Sequence, residues 1–339
     1  MENSLSEKAA RVNTSRAVHL CTLFDKNFLI QGLALIESVS AQTTSDVSWT
    51  VLALDSESYL KLFELRIPNL NVLDFNTLAD ADLIALVGVR PWRELCWTSA
   101  ACLLAYTLRN DKTSEFVGYV DADCYFFGDI SEMLDEIPIS KSFAIHEHNF
   151  SADRKDWETK SGRFNVGVII GRKSAQFIYC INRWRINVLD RCDVDQASGR
   201  CGDQSYLNSW PGEFSDLYIF EQPGVGVAPW NLNNFEISEK DSNILVDGLP
   251  IYFFHFHGLK VGFLSSWLSL IIPASGYKLS YIPWQEIYSP YIDKLMKLKA
   301  SEGLTKSRRI NSFNWYFKNG IKNRIYIASR LTHRKTGLN

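Results

Sequence analysis

The chain has 339 residues, of which 46% are hydrophobic and 22% charged, and its formal net charge is −2, all of which are ordinary values for a soluble globular protein. Seven cysteines without a CxxC pair argue against a disulfide framework and a zinc site, and reduced thiols in a cytoplasmic protein are the simplest interpretation. The first fifteen residues contain no apolar stretch typical of a secretory signal, and the apolar run at 261–272 is too short and too interrupted by serines to span a bilayer.

Strands and helices are predicted to alternate from residue 17 onward. Apolar runs predict strands at 17–25, 49–55, 70–75 and 116–123, and apolar positions at helical spacing predict helices at 27–43, 56–65 and 90–110. This alternation implies a mostly parallel sheet with helices on its faces. In such sheets ligands bind beyond the carboxyl ends of the strands.

The pattern D-x-D occurs three times, at Asp80 and Asp82, Asp121 and Asp123, and Asp193 and Asp195. The first pair lies in a helix-like stretch, where positions i and i+2 point apart, and the third pair follows no strand. Only Asp121 and Asp123 leave the end of a buried strand, where they face each other and need a positive charge between them. They could instead cap the next helix, but Asp129 already stands at that start. The pair is therefore predicted to bind a metal ion.

A second polar group follows the last apolar strand, in the sequence YFFHFHGLK. His255 and His257 lie two residues apart, so both could face one side of an extended strand, and Gly258 and Lys260 follow. Mg²⁺ or Mn²⁺ is bound through carboxylates and the phosphates of a substrate, and Mn²⁺ also accepts an imidazole. A lone buried histidine would more often be a core residue, but this cluster indicates phosphate and metal contact, which suits transfer from a nucleotide sugar.

Five segments between residues 17 and about 263 resemble, in order, the GT-A fold glycosyltransferases, and most closely glycosyltransferase family 8, the group of glycogenin and bacterial lipopolysaccharide galactosyl- and glucosyltransferases. They are the first strand with DKNF, VGYVDAD, FNVGVII, DQSYLN and HFHGLK. The resemblance implies a Rossmann-like, mostly parallel sheet with helices on both faces. It also implies an Mn²⁺ or Mg²⁺ ion on Asp121, Asp123 and His255. It further implies contacts with the donor, expected to be a UDP-sugar, from Thr22, Asp25, Asn27, Asp121, Ala122, Asn165, Gly167, Gly258 and Lys260.

Asp203 and Gln204 would lie beside the anomeric carbon in this family, whose members retain the anomeric configuration. Gln204 would orient the sugar and stabilise its developing charge. An inverting enzyme would instead need a general base, for which Asp203 and Glu147 are the candidates. A sugar nucleotidyltransferase is a further alternative, but the loop after the first strand lacks the Gly-rich, Arg-containing sequence expected of one, and a degenerate lectin-like protein would not keep the full residue set.

Two departures from the family pattern concern the donor. The family commonly has a Lys or Arg on the helix before the D-x-D, but the corresponding segment here, 97–100, contains neither. Either Arg90 or Arg93 takes its place, or the donor is a different one. The closing motif has its lysine one residue nearer the histidine and lacks the Pro-Trp that usually follows. Aromatic residues in polar loops suit stacking on sugars or bases, although core packing explains them as well. They include Trp92, Trp97, Trp157, Trp210 and Trp230.

Three regions are predicted: a polar tail at 1–16, the GT-A domain at 17–265, and a basic, helical extension at 266–339. Residues 294–339 contain twelve Lys or Arg and one acid, which leaves 24 basic and 37 acidic residues in 1–293, so the tail carries about +11 and the body about −13. The tail is expected to attach the cytoplasmic enzyme to the anionic inner face of the cell membrane, and not to bind nucleic acid. The expected acceptor there is a glycan or a lipid-linked glycan of surface polysaccharide or lipopolysaccharide synthesis. Alternatively, it packs on the catalytic domain. The predicted apolar stripe of the tail helix consists of Ile310, Phe313, Phe317, Ile321, Ile325, Ala328 and Leu331.

Overall fold

Strands and helices alternate in the computed structural model, which describes residues 16–195, 199–241, 243–263, 268–272, 281–301 and 326–329. The strands are β1 Ala17–Phe24, β2 Asp46–Ala53, β3 Leu70–Leu73, β4 Phe116–Val120, β5 Cys124–Phe126, β6 Phe143–Glu147, β7 Phe164–Arg172, β8 Val194–Asp195, β9 Arg200–Cys201, β10 Leu217–Ile219, β11 Ile237–Lys240, β12 Asn243–Val246, β13 Leu249–Pro250, β14 Phe253–His255, β15 Lys260–Phe263, β16 Leu268–Ile272 and β17 Tyr326–Ser329. The α-helices are α1 Leu29–Gln42, α2 Ser56–Leu65, α3 Phe75–Leu78, α4 Ala81–Ile84, α5 Trp92–Asn110, α6 Ile130–Asp135, α7 Glu158–Ser161, α8 Ala175–Asp190, α9 Trp210–Glu213, α10 Tyr281–Pro283 and α11 Ser289–Ser301. Short 3₁₀ helices occur at Ala152–Trp157, Gln204–Ser209 and Leu232–Asn234, and a π-helical turn at Trp284–Tyr288.

A seven-stranded sheet forms the centre of the fold, in the order β10-β6-β7-β4-β1-β2-β3. Strands β4, β1, β2 and β3 run parallel to one another, and β10 runs parallel to β6. Strand β7 is antiparallel to both of its neighbours, β4 and β6. The predicted mostly parallel sheet is confirmed. Because β1, β2 and β4 end at the same edge, the segments that follow them are brought together there.

Helices cover both faces of the sheet, because successive side chains of each buried strand point to opposite sides. In β1, Val18 and Leu20 pack in one core cluster with the apolar side of α1. Cys21 and Leu23 pack in the other cluster, with α5 and α8. The short helix α6 begins at Asp129, whose side chain accepts a hydrogen bond from the Ser131 amide at 2.8 Å. The prediction that Asp129 caps this helix is confirmed, so Asp121 and Asp123 are not needed for that task.

The segment after β4 is held against the segment that contains the two predicted histidines. Strand β5 pairs antiparallel with β14, and His255 lies opposite Cys124 in this pair. Just before β5, the Asp123 carbonyl accepts a hydrogen bond from the Phe256 amide at 2.8 Å, and the Asp121 carbonyl accepts one from the Cys124 amide at 3.0 Å. These bonds place residues 121–124 and 253–257 side by side, although about 130 residues separate them in the sequence.

Helix α11, which lies in the predicted C-terminal extension, packs on the body of the fold. Helix α11 shares a core cluster with α1 through Ile292 and Leu295, and Lys294 forms an ion pair with Glu37 of α1. Residue 265, the predicted domain boundary, falls between the paired strands β15 and β16. No described helix combines the length and the apolar composition needed to cross a membrane.

Within the predicted helical extension α10 and α11 are helices, but β16 and β17 are strands that pair antiparallel with each other. The tail sequence YIAS is rich in residues that favour strands, and the free edge of β16 supplies backbone partners that a helix would not use. The predicted apolar stripe therefore does not continue through Ala328. Its remaining members lie outside the described residues.

Candidate functional site

A cavity of about 580 Å³ opens where β1 and β4 end, at the edge that the sheet topology favours for ligands. Its volume lies within the range of about 300–1,000 Å³ that is usual for small-molecule sites. Asp25 lines it after β1, and Asp121, Ala122 and Asp123 line it after β4. A second cavity of about 460 Å³ lies near His19, at the opposite edge of the sheet, and contains none of the predicted site residues.

Two carboxylates and an imidazole converge at the bottom of the larger cavity. The Nε2 atom of His255 lies 3.1 Å from Oδ1 of Asp123 and 3.8 Å from Oδ2 of Asp121. His255 is only 2% exposed, and apart from this contact with Asp123, whose geometry is not that of a regular hydrogen bond, its Nε2 has no hydrogen-bond partner among the described residues. A buried nitrogen without such a bond, facing two carboxylates, is the arrangement expected of ligands around a cation. The three predicted metal ligands are therefore brought together, and they fit Mn²⁺ or Mg²⁺.

Asn165 of β7 determines which nitrogen of His255 carries the proton. The side-chain Oδ1 of Asn165 accepts hydrogen bonds from the Gly167 amide at 2.8 Å and from His255 Nδ1 at 3.1 Å. Since a backbone amide only donates, this amide identifies the oxygen of Asn165, and Nδ1 of His255 must then be the donor. The lone pair of neutral His255 is consequently on Nε2, where it faces the carboxylates. Partners of this kind orient the histidine ligands of metal sites.

The charges at this centre perturb one another. Burial raises the pKa of Asp121, and His255 and the Tyr119 hydroxyl offset this effect only in part. Burial also opposes ionisation of Asp123, but the nearby His255 outweighs it, so the pKa of Asp123 is lowered. Burial disfavours the charged form of His255, but Asp123 and Asp121 outweigh burial and raise its pKa. A proton on His255 would partly neutralise the two carboxylates, and a divalent cation at the same place would neutralise them more fully.

Asp203 and Gln204 line the same cavity. Gln204 Nε2 donates to the Ser161 carbonyl at 2.7 Å, and Gln204 Oε1 accepts from Asn165 Nδ2 at 3.4 Å, so both ends of the amide are held. Asp203 is buried, and burial together with the Asp121 charge raises its pKa well above the usual range. Glu147, the other candidate base, forms an ion pair with Arg163 and is not among the residues that line the cavity.

The predicted donor-binding residues are only partly brought together. Asp25 lines the cavity, and its carboxylate accepts hydrogen bonds from the backbone and side chain of Asn27, which itself does not line it. Thr22 is fully buried in β1 and does not reach the cavity. Gly258, at φ 71°, turns the chain after His257, and Lys260 is exposed at the start of β15.

Gly167 is required by its close packing against Asn165 and His255. A Cβ atom at this position would lie 2.6 Å from Asn165 Oδ1 and 2.8 Å from His255 Nδ1. Only a glycine leaves room for the hydrogen bond between these two atoms. The predicted contact of Gly167 with the donor is not tested by this observation and stays a prediction.

Arg90 and Arg93, the two candidates for the basic residue that the family commonly has before the D-x-D, have different surroundings in the structure. Arg90 donates hydrogen bonds to the carbonyls of Val188 and Leu189 at the end of α8, at 2.6 and 2.8 Å. Such bonds satisfy the free carbonyls of a helix terminus and give Arg90 a structural role. Arg93 lines the cavity, where its guanidinium lies 5.0 Å from the ring centre of Trp97.

Sequence analysis did not single out His148 or the position of Trp230. Nδ1 of His148 donates to the Gly162 carbonyl at 3.0 Å, so its Nε2 accepts from Asn165 Nδ2 at 3.1 Å. Burial lowers the pKa of His148 to about 3, which keeps the ring neutral. Trp230 is buried against the rings of His255 and His257. The available signal for His148 was the alternation HEH at the end of a strand.

Two bacterial proteins resemble the chain in sequence. Uncharacterized protein YfnD of Bacillus subtilis (strain 168) is 24% identical over 283 residues, which cover 82% of this chain and 90% of YfnD. Uncharacterized protein YfnF of the same strain is 28% identical over 248 residues, which cover 71% of this chain and 81% of YfnF. No protein-family model matches the chain.

Solved structures of glycosyltransferases are similar in fold. The galactosyltransferase LgtC, crystallised with donor and acceptor sugar analogues, matches with a TM-score of 0.52 at 13% identity, over 89% of this chain and 99% of LgtC. The bifunctional glycosyltransferase WbbM matches with a TM-score of 0.47 at 14% identity, over 86% of this chain and 53% of WbbM. The chain has the GT-A glycosyltransferase fold, as predicted, while membership of family 8 stays a prediction.

Proposed function

We propose that this protein is a metal-dependent glycosyltransferase that transfers a sugar from a nucleotide-diphosphate sugar to a glycan or glycolipid acceptor. The observation that carries the proposal is the buried Nε2 of His255, which faces Asp121 and Asp123 at the carboxyl end of β4. Ligands bind at this edge of an open α/β sheet, and the GT-A fold supplies the class of donor. A UDP-sugar is the first donor to test.

The roles of the residues follow from their positions. Asp121, Asp123 and His255 would hold Mn²⁺ or Mg²⁺, which when bound neutralises charge on the diphosphate leaving group. Asn165 keeps His255 in the tautomer that presents Nε2 to the ion. Arg93 is the cavity-lining cation that could add to this charge compensation.

We further propose that the reaction retains the anomeric configuration. Gln204 is a neutral amide that both Asn165 and Ser161 hold, which suits a residue that orients the sugar and stabilises its developing charge. Of the two candidate bases of the inverting alternative, Glu147 is engaged by Arg163 and is not among the residues that line the cavity. Asp203 is buried beside the charge of Asp121, which disfavours its ionised form and raises its pKa. NMR of the product from an α-linked donor distinguishes the mechanisms, because a β linkage would support the inverting alternative.

A screen of nucleotide sugars tests the proposal directly. Full-length protein with Mn²⁺ would be offered UDP-glucose, UDP-galactose, UDP-N-acetylglucosamine and GDP-mannose, and release of the nucleoside diphosphate would be measured. We expect release from at least one donor, and we expect EDTA or Asp123→Ala to abolish it. Undiminished release with both EDTA and Asp123→Ala would remove the metal from the mechanism. A role in surface polysaccharide or lipopolysaccharide synthesis, with a lipid-linked acceptor, is part of the proposal.

A further inference from the structure

A fourth side chain, His257, lies beside the three proposed metal ligands. Asp123, His255 and His257 each present one potential ligand atom, and these three atoms lie within 4.8 Å of one another. Asp121 approaches the same group through the 3.8 Å contact of its Oδ2 with His255 Nε2. Asp121 is not part of that three-residue group but adjoins it through His255, so two carboxylates and two imidazoles are neighbours here, and the Nε2 of His255 makes no regular hydrogen bond to any described residue.

The backbone places both imidazoles on the cavity side. Phe256, between them, points the other way and stacks on Tyr291 in the core, with ring centres 3.8 Å apart. The left-handed Gly258 then turns the chain, closed by a hydrogen bond of 3.1 Å from the Leu259 amide to the Phe256 carbonyl. His255 and His257 both line the cavity as a result.

The indole ring of Trp230 holds the two imidazoles edge to face. Its centre lies 5.2 Å from the ring centre of His255 and 5.5 Å from that of His257. Asn231 anchors this loop by donating to the carbonyls of His148 and Gly226, at 3.0 and 2.9 Å. These ring contacts restrain the orientation of His257 beside His255.

We propose that His257 is a fourth metal ligand, so that two carboxylates and two imidazoles bind the ion. This inference rests on the proposed function, because it concerns the same metal site. Four protein atoms and two diphosphate oxygens would supply the six ligands that Mg²⁺ and Mn²⁺ take. With four protein ligands, the site binds its ion before the nucleotide arrives, rather than depending on the nucleotide to complete it.

The second imidazole also changes which metals the site prefers. Imidazole nitrogen binds Co²⁺ and Ni²⁺ well, whereas Mg²⁺ favours carboxylate, carbonyl and water oxygens. Affinities for nitrogen-containing sites rise from Mn²⁺ through Co²⁺ to Ni²⁺. The site is therefore expected to bind Co²⁺ more tightly than Mn²⁺ and to discriminate strongly against Mg²⁺. Removing His257 should weaken Co²⁺ binding far more than Mg²⁺ binding.

Titration of Co²⁺ into nucleotide-free, full-length protein tests this inference, with calorimetry and the visible absorption of Co²⁺ as readouts. We expect His257→Ala to weaken Co²⁺ binding about tenfold or more, at least the effect of losing an outer-shell partner, and to change Mg²⁺ affinity less. His257→Gln should behave in the same way while keeping side-chain volume. His19→Gln removes an imidazole from the opposite edge of the sheet, near Asp111 and Thr50, and should leave Co²⁺ binding unchanged.

The outcomes separate this inference from the proposed function. If wild-type protein binds Co²⁺ and Asp123→Ala abolishes binding, but both His257 variants bind as tightly as the wild type, then the metal site stands and His257 is not a ligand. If the wild type binds neither Co²⁺ nor Mn²⁺, with or without UDP, then both the metal-dependent function and the role of His257 are wrong. Circular dichroism of each variant verifies that it is folded.

Discussion

Replacement of Asn165 by leucine should damage both the metal site and the fold. Its side chain makes four hydrogen bonds, to Gly167, His255, His148 and Gln204. Leucine has the same branched shape as asparagine, is somewhat larger, and offers no polar atom. The first three of these partners are buried, so the substitution leaves the Gly167 amide, the His255 Nδ1–H and the His148 Nε2 without the bonds they make in the wild type.

The magnitude follows from these three buried groups. An unsatisfied buried polar group costs about 1–3 kcal/mol, so the free energy of unfolding should fall by about 3 kcal/mol or more. This is a large part of the 5–15 kcal/mol that is typical for a folded domain. Loss of the partner that orients a histidine ligand usually weakens metal binding by about 10–100-fold. We expect a loss in that range for Mn²⁺.

Asn165→Asp is the matched control, because aspartate keeps the acceptor for His255 Nδ1 and loses the donor to His148 and Gln204. Its charge increases the basicity of His255, so Mn²⁺ affinity should be retained or should rise, whereas turnover should fall because Gln204 loses a partner. Calorimetry with Mn²⁺ and urea unfolding in EDTA measure the two quantities. Equal Mn²⁺ affinities for Asn165→Leu and the wild type would refute the tautomer argument, as would an equal loss in both variants.

Three further predictions concern pH, packing and the tail. Burial lowers the pKa values of His146 and His148 to about 3, whereas both are 6.5 in the unfolded chain. The free energy of unfolding, measured in EDTA, should therefore fall as the pH is lowered from 6.5 toward 3, by about 1.4 kcal/mol per pH unit for each ring. The raised pKa of His255 has the opposite effect, because its contribution to stability is complete below pH 6.5 and is lost as the pH rises. His148→Gln removes one of the two buried rings of low pKa, so the free energy of its unfolding by urea should depend less on pH than that of the wild type. Gly167→Ala should reduce both stability and Mn²⁺ affinity. Gly212→Ala, where a Cβ in the short helix α9 would meet nothing within 4 Å, should leave Mn²⁺ affinity unchanged and should not lower stability, because alanine favours a helix more than glycine does; calorimetry and urea unfolding measure both. A chain ending after residue 301, which keeps α11, should sediment less with anionic liposomes than the full chain does, and equal sedimentation would show that the tail is not the anchor.

The parts of the fold that were predictable are those with a local cause. Apolar runs bounded by polar turns identified β1, β2 and β4, and the position of Asp121 and Asp123 at the end of a buried strand selected them among three similar pairs. Asp129 was recognisable as a helix cap from its own neighbours. None of these inferences required knowledge of which distant segments meet.

Contacts between distant segments decided what the sequence left open. Arg90 and Arg93 are three positions apart, and the sequence alone did not show which of them faces the donor. The hydrogen bonds of Arg90 to the end of α8, about 100 residues away in the chain, give Arg90 a structural role. His148 reaches Asn165 because β6 pairs with β7 across a register shift after Ala144, which no periodicity in either strand reveals.

Asp203 is a candidate base of the inverting alternative, and its burial affects whether it could serve as one. Burial and the charge of Asp121 raise its pKa, and a cation on Asp121 would remove the second cause but leave the first. Under the proposed retaining mechanism Asp203 removes no proton from the acceptor, and asparagine imitates its shape and keeps a neutral hydrogen-bonding group in its place. We therefore expect Asp203→Asn to keep kcat within about tenfold of the wild type, whereas loss of a true general base would cost about 10²–10⁴-fold. Turnover of Asp203→Asn, measured with the donor found in the screen, would contradict this reasoning if it fell by the larger factor while donor binding was unchanged.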